Sequence, residues 1–259
     1  MLALIAGTGA LPAAILAQRP DAIVCAMAGF TPEVPARITF RLETLGRFLI
    51  QLAALGVNEV CFAGAVRRPE IDPNAIDADT RPLVPVLKAA MAKGDDGALR
   101  AILGLFEARG FAIVAAHDVV PQLLPVAGVP TKRRPDAAMM ADAVLGEKVL
   151  VKLGERDLGQ ACVVQGGQVL AREGVAGTDA MIAGVTATGG VLVKGPKPDQ
   201  DRRADLPVIG LQSARLAIAA GLDGIVIEAA GVMVLGLDEV VNLLNEKGKV
   251  LWVRPKTES

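Results

Sequence analysis

Residues 2–18 of the 259-residue chain, LALIAGTGALPAAILAQ, join an apolar run to a helix-forming segment through a Gly-Thr-Gly turn. Apolar residues fill positions 2–6, and positions 11–18 have a helical composition with Pro12 near their start. Because a short apolar run that ends at a glycine is typical of a buried strand, this stretch predicts a strand, a tight turn and a helix. The chain therefore opens with a βα unit.

The same alternation continues through the first half of the chain. Short apolar runs are separated by helical segments, which predicts a parallel sheet covered by helices. The predicted strands are residues 2–6, 22–27, 59–63 and 111–115, and the predicted helices are residues 11–18, 42–55, 83–92 and 97–109.

A Pro-rich, basic stretch, VAGVPTKRRP at residues 126–135, interrupts this pattern and predicts a linker. The chain after it also alternates, with more hairpin character. The predicted helices are residues 136–153, 213–220 and 238–247, and the predicted strands are residues 160–165, 169–172, 191–194, 225–228, 232–235 and 250–253. We therefore predict an α/β fold with two α/β domains: a Rossmann-like parallel sheet over residues 1–125 and a mixed α/β domain over residues 136–259, joined by the linker.

Composition excludes several classes of protein. A hydrophobic fraction of 52% with 21% charged residues excludes a disordered chain. A net charge of −1 and an aromatic fraction of 3% argue against nucleic acid as a partner. Gly, Pro or a charge breaks every apolar stretch before about 20 residues, so we expect no membrane-spanning helix. The N-terminal run lacks a preceding Lys or Arg, so we expect mature structure there and not a signal peptide.

Cysteine and histidine usage limits the metal chemistry. Cys25, Cys61 and Cys162 stand alone in apolar runs, which suggests neither a disulfide framework nor a zinc site and fits a reducing compartment. His117 is the only histidine, which excludes a His-rich two-metal phosphoesterase site. His117 itself is either structural or part of a site, and any metal would be held mostly by oxygen.

The Gly-Thr-Gly turn is a candidate phosphate site. Gly9 and Ala10 lie at the start of the first helix, where backbone N–H groups and the helix dipole can hold an anion. Pro12 occupies the place of the third glycine in the dinucleotide fingerprint, so NAD binding is not expected. The turn is either a phosphate or sugar contact or simply a tight turn.

Three further loops combine glycine with charged or hydroxyl side chains. Each has a structural alternative, since its charges could be solvated or could cap a helix. The residues are Gly64, Arg67 and Arg68 after the third predicted strand, Lys93, Gly94, Asp95 and Asp96 before a helix, and Gly177, Thr178 and Asp179 before another.

The densest group of charges is KGPKPDQDRRADLPVIG, residues 194–210. It holds two lysines, two arginines and three aspartates, and three prolines stiffen it. Cations that neutralise phosphate oxygens, next to carboxylates that hold Mg²⁺ or orient water, are what phosphoryl transfer requires. A solvated loop is the alternative, but its length and its place in an apolar half favour a functional site. Glu228 is either a site residue or exposed at a strand edge.

Motifs along almost the whole chain resemble those of a known family, the Mg²⁺-dependent UDP-2,3-diacylglucosamine diphosphatases of lipid A biosynthesis, which are unrelated to calcineurin-like phosphoesterases. The long charged motif and GTDAM, in that family's order, are the most specific. The matching stretches are LIAGTGALP, CFAGAVRRP, AKGDDGALR, GFAIVAAHDVV, LGQACVVQGGQVLA, GTDAM, KGPKPDQDRRADLPVIG and GLDGIVIEAAG.

The resemblance implies hydrolysis of the substrate's diphosphate to UMP and 2,3-diacylglucosamine 1-phosphate. It implies that catalysis depends on the aspartate of the DLP element, Asp205. Two positions depart from the family's pattern, since Ala176 stands where an acidic residue usually precedes GTDAM and Ala65 where a polar residue is common. The Ala-Ala-Gly that follows Glu228 departs as well.

These observations together give a set of expected site residues. We expect Mg²⁺, or alternatively Mn²⁺, with Asp205 either binding the metal or orienting the attacking water. Lys197 and Arg203 would neutralise the charge that develops. The expected substrate-binding residues lie in the matched motifs and are Gly9, Ala10, Gly64, Lys93, Gly94, Asp95, Asp96, Gln160, Gly177, Thr178, Asp179, Lys194 and Gln200.

The diacylated substrate sets the expected partners. A cytoplasmic protein peripheral to the inner membrane would contact that surface transiently, and its oligomeric state stays open. The acyl chains would lie in an apolar groove lined by Met181, Ile182, Val232 and Met233, unless these residues are ordinary core. The alternatives are a non-catalytic module that binds a nucleotide sugar and a dinucleotide-dependent enzyme that acts on one.

Overall fold

The structure of the protein, a computed structural model, describes residues 1–66, 69–91, 94–198 and 200–255. The chain forms two compact units. Unit 1 contains Met1–Pro121 and Asp201–Asp205, and unit 2 contains Gln122–Gln200 and Leu206–Ser259. The α/β fold class predicted from the sequence is confirmed.

The division into units differs from the predicted domain boundaries at three places. Residues 122–125, predicted at the end of the first domain, belong to unit 2. Residues 201–205, predicted in the second domain, belong to unit 1. Residues 126–135, predicted as a linker, belong to unit 2 and bind its last strand: Gly128 exchanges backbone hydrogen bonds of 2.8 and 2.9 Å with Val253, and the Thr131 hydroxyl accepts one from the Leu251 amide at 3.0 Å. Prolines and basic residues in this stretch indicate an absence of regular structure, but they do not exclude an ordered segment.

Unit 1 contains a parallel sheet, which in the described residues has the strand order β3-β2-β1-β4-β5. All five residues of β1 and all five of β2 are buried, as expected for strands covered by helices on both faces. The strands are β1 (Leu2–Ala6), β2 (Ile23–Met27), β3 (Ile38–Phe40), β4 (Glu59–Ala63) and β5 (Ala112–Ile113), and the helices are α1 (Leu11–Gln18), α2 (Leu45–Ala54), α3 (Val84–Met91), α4 (Gly94–Glu107) and α5 (Ala116–Val119).

The core of unit 1 follows from the spacing of apolar residues on α2. Leu45, Phe48, Leu49 and Leu52 repeat at i, i+3, i+4 and i+7, so they share one face of the helix, and all four are buried in one cluster with residues of β1 and β2. Phe48 also stacks on Phe40 with ring centroids 4.0 Å apart. This packing fixes α2 against the sheet.

Unit 2 contains a mixed sheet with the strand order β12-β10-β8-β6-β7 and a small parallel pair, β9 with β11. Strands β8, β10 and β12 are parallel, whereas β6 is antiparallel to both β8 and β7. The strands are β6 (Ala161–Gln165), β7 (Gln168–Arg172), β8 (Val191–Lys194), β9 (Val208–Ile209), β10 (Gly224–Glu228), β11 (Met233–Val234) and β12 (Val250–Arg254), and the helices are α6 (Ala137–Gly154), α7 (Gly177–Ala183), α8 (Leu211–Ala219) and α9 (Leu237–Glu246).

A buried carboxylate closes the β6–β7 hairpin. Gly166 and Gly167 both have positive φ, 58° and 76°, as a two-residue hairpin turn requires. The Asp142 side chain on α6 is buried and accepts hydrogen bonds from both glycine amides, at 2.9 and 2.6 Å. The turn is thereby attached to α6.

Alternate residues of the central strands of unit 2 face opposite sides of the sheet. Leu192 and Ile225 belong to the core cluster shared with α8 and α9, whereas Val193 and Val226 belong to the cluster shared with α6. Strands buried on both sides explain why these segments are continuous apolar runs in the sequence. Among the described residues, no helix combines the length and the apolar character that crossing a membrane requires.

The structure corrects the predicted elements mainly at short segments. The three-residue β3, the two-residue β9 and the four-residue α5 were not predicted, since such short elements carry no periodicity. Helix α2 starts at Leu45 because residues 42–44 form a 3-10 turn. Helix α4 starts at Gly94, and β5 spans two residues of the predicted five.

Candidate functional site

The loops that follow β1 and β4 meet at the carboxyl edge of the sheet in unit 1. Gly7 donates a backbone hydrogen bond to Ala63 at 2.8 Å, and Thr8 and Ala65 exchange two of 2.9 Å each. In the sheet, β1 has β2 and β3 on one side and β4 and β5 on the other. After β3 the chain crosses to the far side of β1, so the strand order reverses at β1. Open α/β sheets bind ligands at such a point.

Two glycines allow this close approach. A Cβ at Gly7 would lie 2.5 Å from the Ala65 carbonyl oxygen, and a Cβ at Gly64 would lie 2.8 Å from the carbonyl carbon of Gly7. Gly64 also has a φ of +95°. Both positions therefore exclude a side chain.

Gly9 and Ala10 lie beside this contact and are exposed at the start of α1. A Cβ built on Gly9 would meet nothing within 4 Å, although its φ of +96° still favours glycine. Ala10 is the N-cap of α1 and has no oxygen in its side chain that could cap the helix. The backbone N–H groups of the first turn can therefore serve an external anion.

The predicted residues near α4 are only partly described. Gly94, with a φ of +85°, and Asp96 are half-buried in its first turn. Lys93, Arg67, Arg68 and Asp199 lie outside the described residues, as does the side chain of Asp95. Because α4 begins at Gly94, the two aspartates fall inside the helix, and the prediction that one of them precedes and caps it is wrong. A carboxylate in the first turn still favours the helix dipole.

Arg203 is held by two carboxylates of unit 1. Its guanidinium binds both oxygens of Asp201, at 3.0 and 2.9 Å, and donates to Oε1 of Glu107 at 2.6 Å. The hydrogen bonds that Arg203 donates are the main reason that the pKa of Asp201 is lowered, and its hydrogen bonds to Asp201 and Glu107 raise the pKa of Arg203. Arg203 is therefore a cation whose charge is already compensated.

Asp205 is positioned by the same turn. Its backbone N–H donates to the Asp201 carbonyl at 3.0 Å, and its side chain is half-buried. Residues 201–205 thus bring two carboxylates and two arginines into one five-residue segment. The backbone hydrogen bond of this turn therefore fixes the position of Asp205, although its side chain is not part of the core.

His117 lies on α5, directly after β5. Burial lowers the pKa of its imidazole, and Arg202 acts in the same direction while Asp118 opposes it. Its Nδ1 atom is buried and has no hydrogen-bond partner within the part of the chain that the structure describes. The lowered pKa favours the neutral form of the imidazole.

Unit 2 collects a second set of predicted residues at one edge of its sheet. Since β6 is antiparallel to β8, residue 161 pairs with Lys194, the last residue of β8. The start of β6 and the end of β7 therefore lie beside the carboxyl end of β8. This register brings Gln160, Glu173 and Lys194 together.

Lys194 is a buried ammonium group with neutral acceptors. Its Nζ donates to the Thr178 hydroxyl at 2.9 Å and to the Val208 carbonyl at 3.0 Å. The Thr178 hydroxyl donates in turn to Glu173 Oε1 at 2.6 Å. Burial lowers the pKa of Lys194, against the opposing effect of the Glu173 and Asp179 carboxylates.

The loop after β8 folds back on the start of β6. Lys197 Nζ forms an ion pair with Asp157 Oδ1 at 2.5 Å, and its backbone N–H donates to Gln200 Oε1 at 3.1 Å. Gln200 is buried and donates through Nε2 to Gln160 Oε1 at 3.2 Å. Three of the predicted residues are thereby linked through one network.

The GTDAM motif has a different role from the capping that the sequence predicts. The N-cap of α7 is Ala176, and no side chain caps this helix among the described residues. Thr178 lies in the first turn with its hydroxyl bound to Glu173, Gly177 has a φ of +85°, and Asp179 is exposed. The capping prediction for Thr178 and Asp179 is therefore wrong.

The four predicted groove residues are mostly core. Ile182 and Val232 are fully buried, Met233 is buried, and Met181 packs partly buried against the same cluster. The apolar residues next to the site in sequence are needed to fill unit 2. They do not form a groove.

The residues that follow β10 adopt an unusual backbone. Glu228 is half-buried at the end of β10 and pairs in register with Arg254. Ala230 has a φ of +53°, in the left-handed region that an alanine adopts only at a cost. A Cβ on Gly231 would lie 2.7 Å from Glu228 Oε1. The Ala-Ala-Gly sequence thus forms a tight turn against Glu228, whose predicted role as a site residue stays open.

Sequence reasoning missed three carboxylates that form hydrogen bonds or ion pairs with the predicted residues. Glu173, Asp157 and Glu107 were not predicted, although each contacts a predicted residue. Glu173 had a signal, since it follows a predicted strand directly and lies five residues before Thr178. No sequence signal marks Asp157 and Glu107, because their partners, Lys197 and Arg203, are 40 and 96 residues away along the chain.

Asp205 carries carboxylate oxygens, the type of ligand that a hard cation prefers. Within the described ranges, no group of three or more His, Cys, Asp or Glu side chains is arranged to hold a metal ion. Mg²⁺ is commonly bound by one or two carboxylates together with substrate phosphates and water. A single half-buried carboxylate fits that mode of binding.

Fold and site define an α/β protein with a glycine turn at the switch point of one sheet and a buried lysine network at the edge of another. Residues 1–123 match the family model of the LpxI N-terminal domain, and residues 126–252 match that of the LpxI C-terminal domain. A relative from Caulobacter vibrioides, named UDP-2,3-diacylglucosamine pyrophosphatase LpxI, is 36% identical over 280 aligned residues, which cover 98% of each chain. The chain belongs to the LpxI family, and the resemblance seen in the sequence is confirmed.

Proposed function

We propose that this protein hydrolyses the diphosphate of UDP-2,3-diacylglucosamine to UMP and 2,3-diacylglucosamine 1-phosphate, a step of lipid A biosynthesis. The observation that carries the proposal is the 36% identity to the Caulobacter vibrioides pyrophosphatase across 98% of both chains. The geometry agrees with it, since both units offer donors suited to phosphate: the N–H groups that start α1 in unit 1 and the buried Lys194 ammonium in unit 2.

The reaction is a single displacement at phosphorus. A water oxygen forms the new P–O bond, the bond to the bridging oxygen breaks, and the water protons pass to solvent or to a carboxylate. Asp205 is the carboxylate assigned to the reacting centre, either as an acceptor for the attacking water or as a ligand of Mg²⁺ or Mn²⁺. When bound, the cation would neutralise charge on the diphosphate oxygens.

Lys194 is suited to bind an anion without leaving its place. An ammonium group has three donors, and the described acceptors are the Thr178 hydroxyl and the Val208 carbonyl. A phosphate oxygen can take the third. Because the group is buried, such a contact is stronger than the same contact in water.

Lys197 and Arg203 are proposed to act on the diphosphate from within ion pairs. Each already contacts a carboxylate, Asp157 for Lys197 and both Asp201 and Glu107 for Arg203. A bound phosphate must therefore join or displace these carboxylates. The ion pairs also orient the two side chains before substrate arrives, which reduces the entropy lost on binding.

The two acyl chains of the proposed substrate bear on where the protein acts. Two fatty chains favour a membrane, so we expect the protein to act from the cytoplasm as a peripheral protein at the inner-membrane surface.

Phosphorus NMR of UDP-2,3-diacylglucosamine with the protein and Mg²⁺ tests the proposed function. We expect the two diphosphate resonances to be replaced by those of two phosphomonoesters, with UMP identified by its mass. Running the reaction in ¹⁸O-labelled water shows which product gains the label and so which phosphorus is attacked. Binding of the substrate without any product would support a non-catalytic module, and a copurified chromophore would support a dinucleotide-dependent enzyme. Either result would overturn the proposal.

A further inference from the structure

Glu173 uses both of its carboxylate oxygens at the edge of unit 2. Oε1 accepts from the Thr178 hydroxyl at 2.6 Å, and Oε2 accepts from the Gln160 backbone N–H at 2.7 Å. The Glu173 backbone is fixed as well, since its own N–H donates to the Ala161 carbonyl at 2.9 Å. The side chain therefore joins the start of β6 to the first turn of α7.

The direction of these hydrogen bonds depends on a carboxylate at position 173. Both Lys194 and the Gln160 amide can only donate, and the Thr178 hydroxyl has a single proton. An ionised Glu173 accepts that proton, which leaves the lone pairs of the Thr178 oxygen for the Lys194 ammonium. The hydrogen bonds thus run in one direction, from Lys194 through Thr178 to Glu173.

We propose that Glu173 is a positioning residue for this reaction, which holds the Thr178 hydroxyl in the one orientation that accepts Lys194 and so directs the ammonium toward the substrate diphosphate. The inference rests on the proposed function, because Lys194 binds the diphosphate there. Glu173 itself does not touch the substrate. It acts through Thr178.

The charges around Lys194 determine how its protonation responds to Glu173. The carboxylates that act on the ammonium are Glu173, which follows β7, and Asp179 on α7. Both favour the charged form, whereas burial opposes it. Loss of Glu173 removes one of the two favourable charges, so the pKa of Lys194 should fall further.

The substitution Glu173→Gln tests the carboxylate with almost no change in shape. A glutamine has one acceptor oxygen and one donor NH₂ group, so it cannot accept from both Thr178 and the Gln160 amide. If its NH₂ group faces the Gln160 N–H, two donors face each other. If it faces Thr178, the hydroxyl accepts from it and its own proton loses the acceptor that Glu173 provided. Glu246→Gln, at an exposed position on α9, is the matched control because it removes the same charge from the same unit.

Two measurements decide the proposal. The first is the pKa of Lys194, from NMR titration of the protein with ¹³C,¹⁵N-labelled lysine and assignment by Lys194→Arg. The second is the pH profile of kcat/KM for UDP-2,3-diacylglucosamine. For Glu173→Gln we expect a lower Lys194 pKa, an alkaline limb displaced to lower pH, and a loss of kcat/KM of about tenfold or more at neutral pH, the usual effect of losing a hydrogen bond to a charged group. The control should match the wild type in all three.

The outcomes separate this proposal from the proposed function. If the wild type does not hydrolyse the substrate, the proposed function fails, and the NMR titration still shows whether Glu173 sets the state of Lys194. A Lys194 pKa and a pH profile unchanged in Glu173→Gln would overturn the positioning role. If that variant does not fold, Thr178→Val, which removes the middle hydroxyl, should give the same displaced limb, and an unchanged profile there would overturn the role as well.

Discussion

Lys194, Lys197 and Arg203 carry the same charge but have different partners. Lys197 and Arg203 are paired with carboxylates, whereas Lys194 donates to a hydroxyl and a carbonyl. An ion pair compensates much of a cation's charge, whereas the carboxylates that act on Lys194, Glu173 and Asp179, make no direct hydrogen bond with it and compensate its charge less. Under the proposed function, Lys194 is therefore the cation expected to attract the diphosphate most strongly.

Asp205→Ala should abolish turnover while substrate binding stays largely intact. A carboxylate that acts on the attacking water or on a metal ion contributes more to the transition state than to the ground state, so kcat falls much more than affinity. The fold should survive, because Asp205 is half-buried in a loop. Single-turnover kinetics and calorimetric titration with the substrate check both parts.

The neighbouring carboxylate provides the control for Asp205. Asp201→Ala removes the bidentate partner of Arg203 and should lower stability as well as activity. A variant Asp205→Ala that keeps a tenth or more of wild-type turnover would contradict the central role of Asp205.

At the scale of elements, the loops after β1 and β4 contain glycines that are needed for two different reasons. Gly64 and Gly9 have nearly equal φ values, +95° and +96°, so alanine at either position pays the same left-handed cost of about 1–2 kcal/mol. A Cβ at Gly64 also meets backbone at 2.8 Å, whereas one at Gly9 meets nothing within 4 Å. Gly64→Ala should therefore destabilise the protein by about 1–3 kcal/mol more than Gly9→Ala does. Urea denaturation of the two variants measures the difference, and equal losses would show that the loops do not need this contact.

The attachment of the β6–β7 hairpin to α6 gives a second prediction at this scale. Asp142→Ala leaves the amides of Gly166 and Gly167 without their acceptor and should lower the free energy of unfolding by about 2–4 kcal/mol. Glu155→Ala, an exposed carboxylate just after the same helix, should change it by less than about 0.5 kcal/mol. Denaturant titration compares the variants, and similar values for the two would contradict the role of Asp142.

Long elements with a clear sequence pattern could be predicted from the sequence. The residues that pair with each site residue in the folded protein could not. The apolar run of β1 and the Gly-Gly hairpin are local signals, and both appear in the structure as predicted. The pairing of Arg203 with Glu107 spans 96 residues and follows from the tertiary fold alone. Residues of the site were therefore found by motif, whereas the carboxylates that orient them were not.

At the scale of the whole molecule, activity should depend on a hard divalent cation. The side chains proposed for the reacting centre offer oxygen, and Mg²⁺ is typically bound by carboxylate together with substrate phosphate. Excess EDTA should remove hydrolysis, and Mg²⁺ or Mn²⁺ should restore it. Full activity in excess chelator would refute the metal assignment.

The membership of residues 201–205 in unit 1 has a consequence for biosynthesis. The ribosome delivers residues 1–121 long before residues 201–205, so nascent unit 1 first folds without the partner that Glu107 finds in Arg203. Asp205 enters its unit only after most of unit 2 has been translated. Under the proposed function, the aspartate assigned to catalysis is thus translated only after residues 122–200 of unit 2, and the nascent protein is inactive until then.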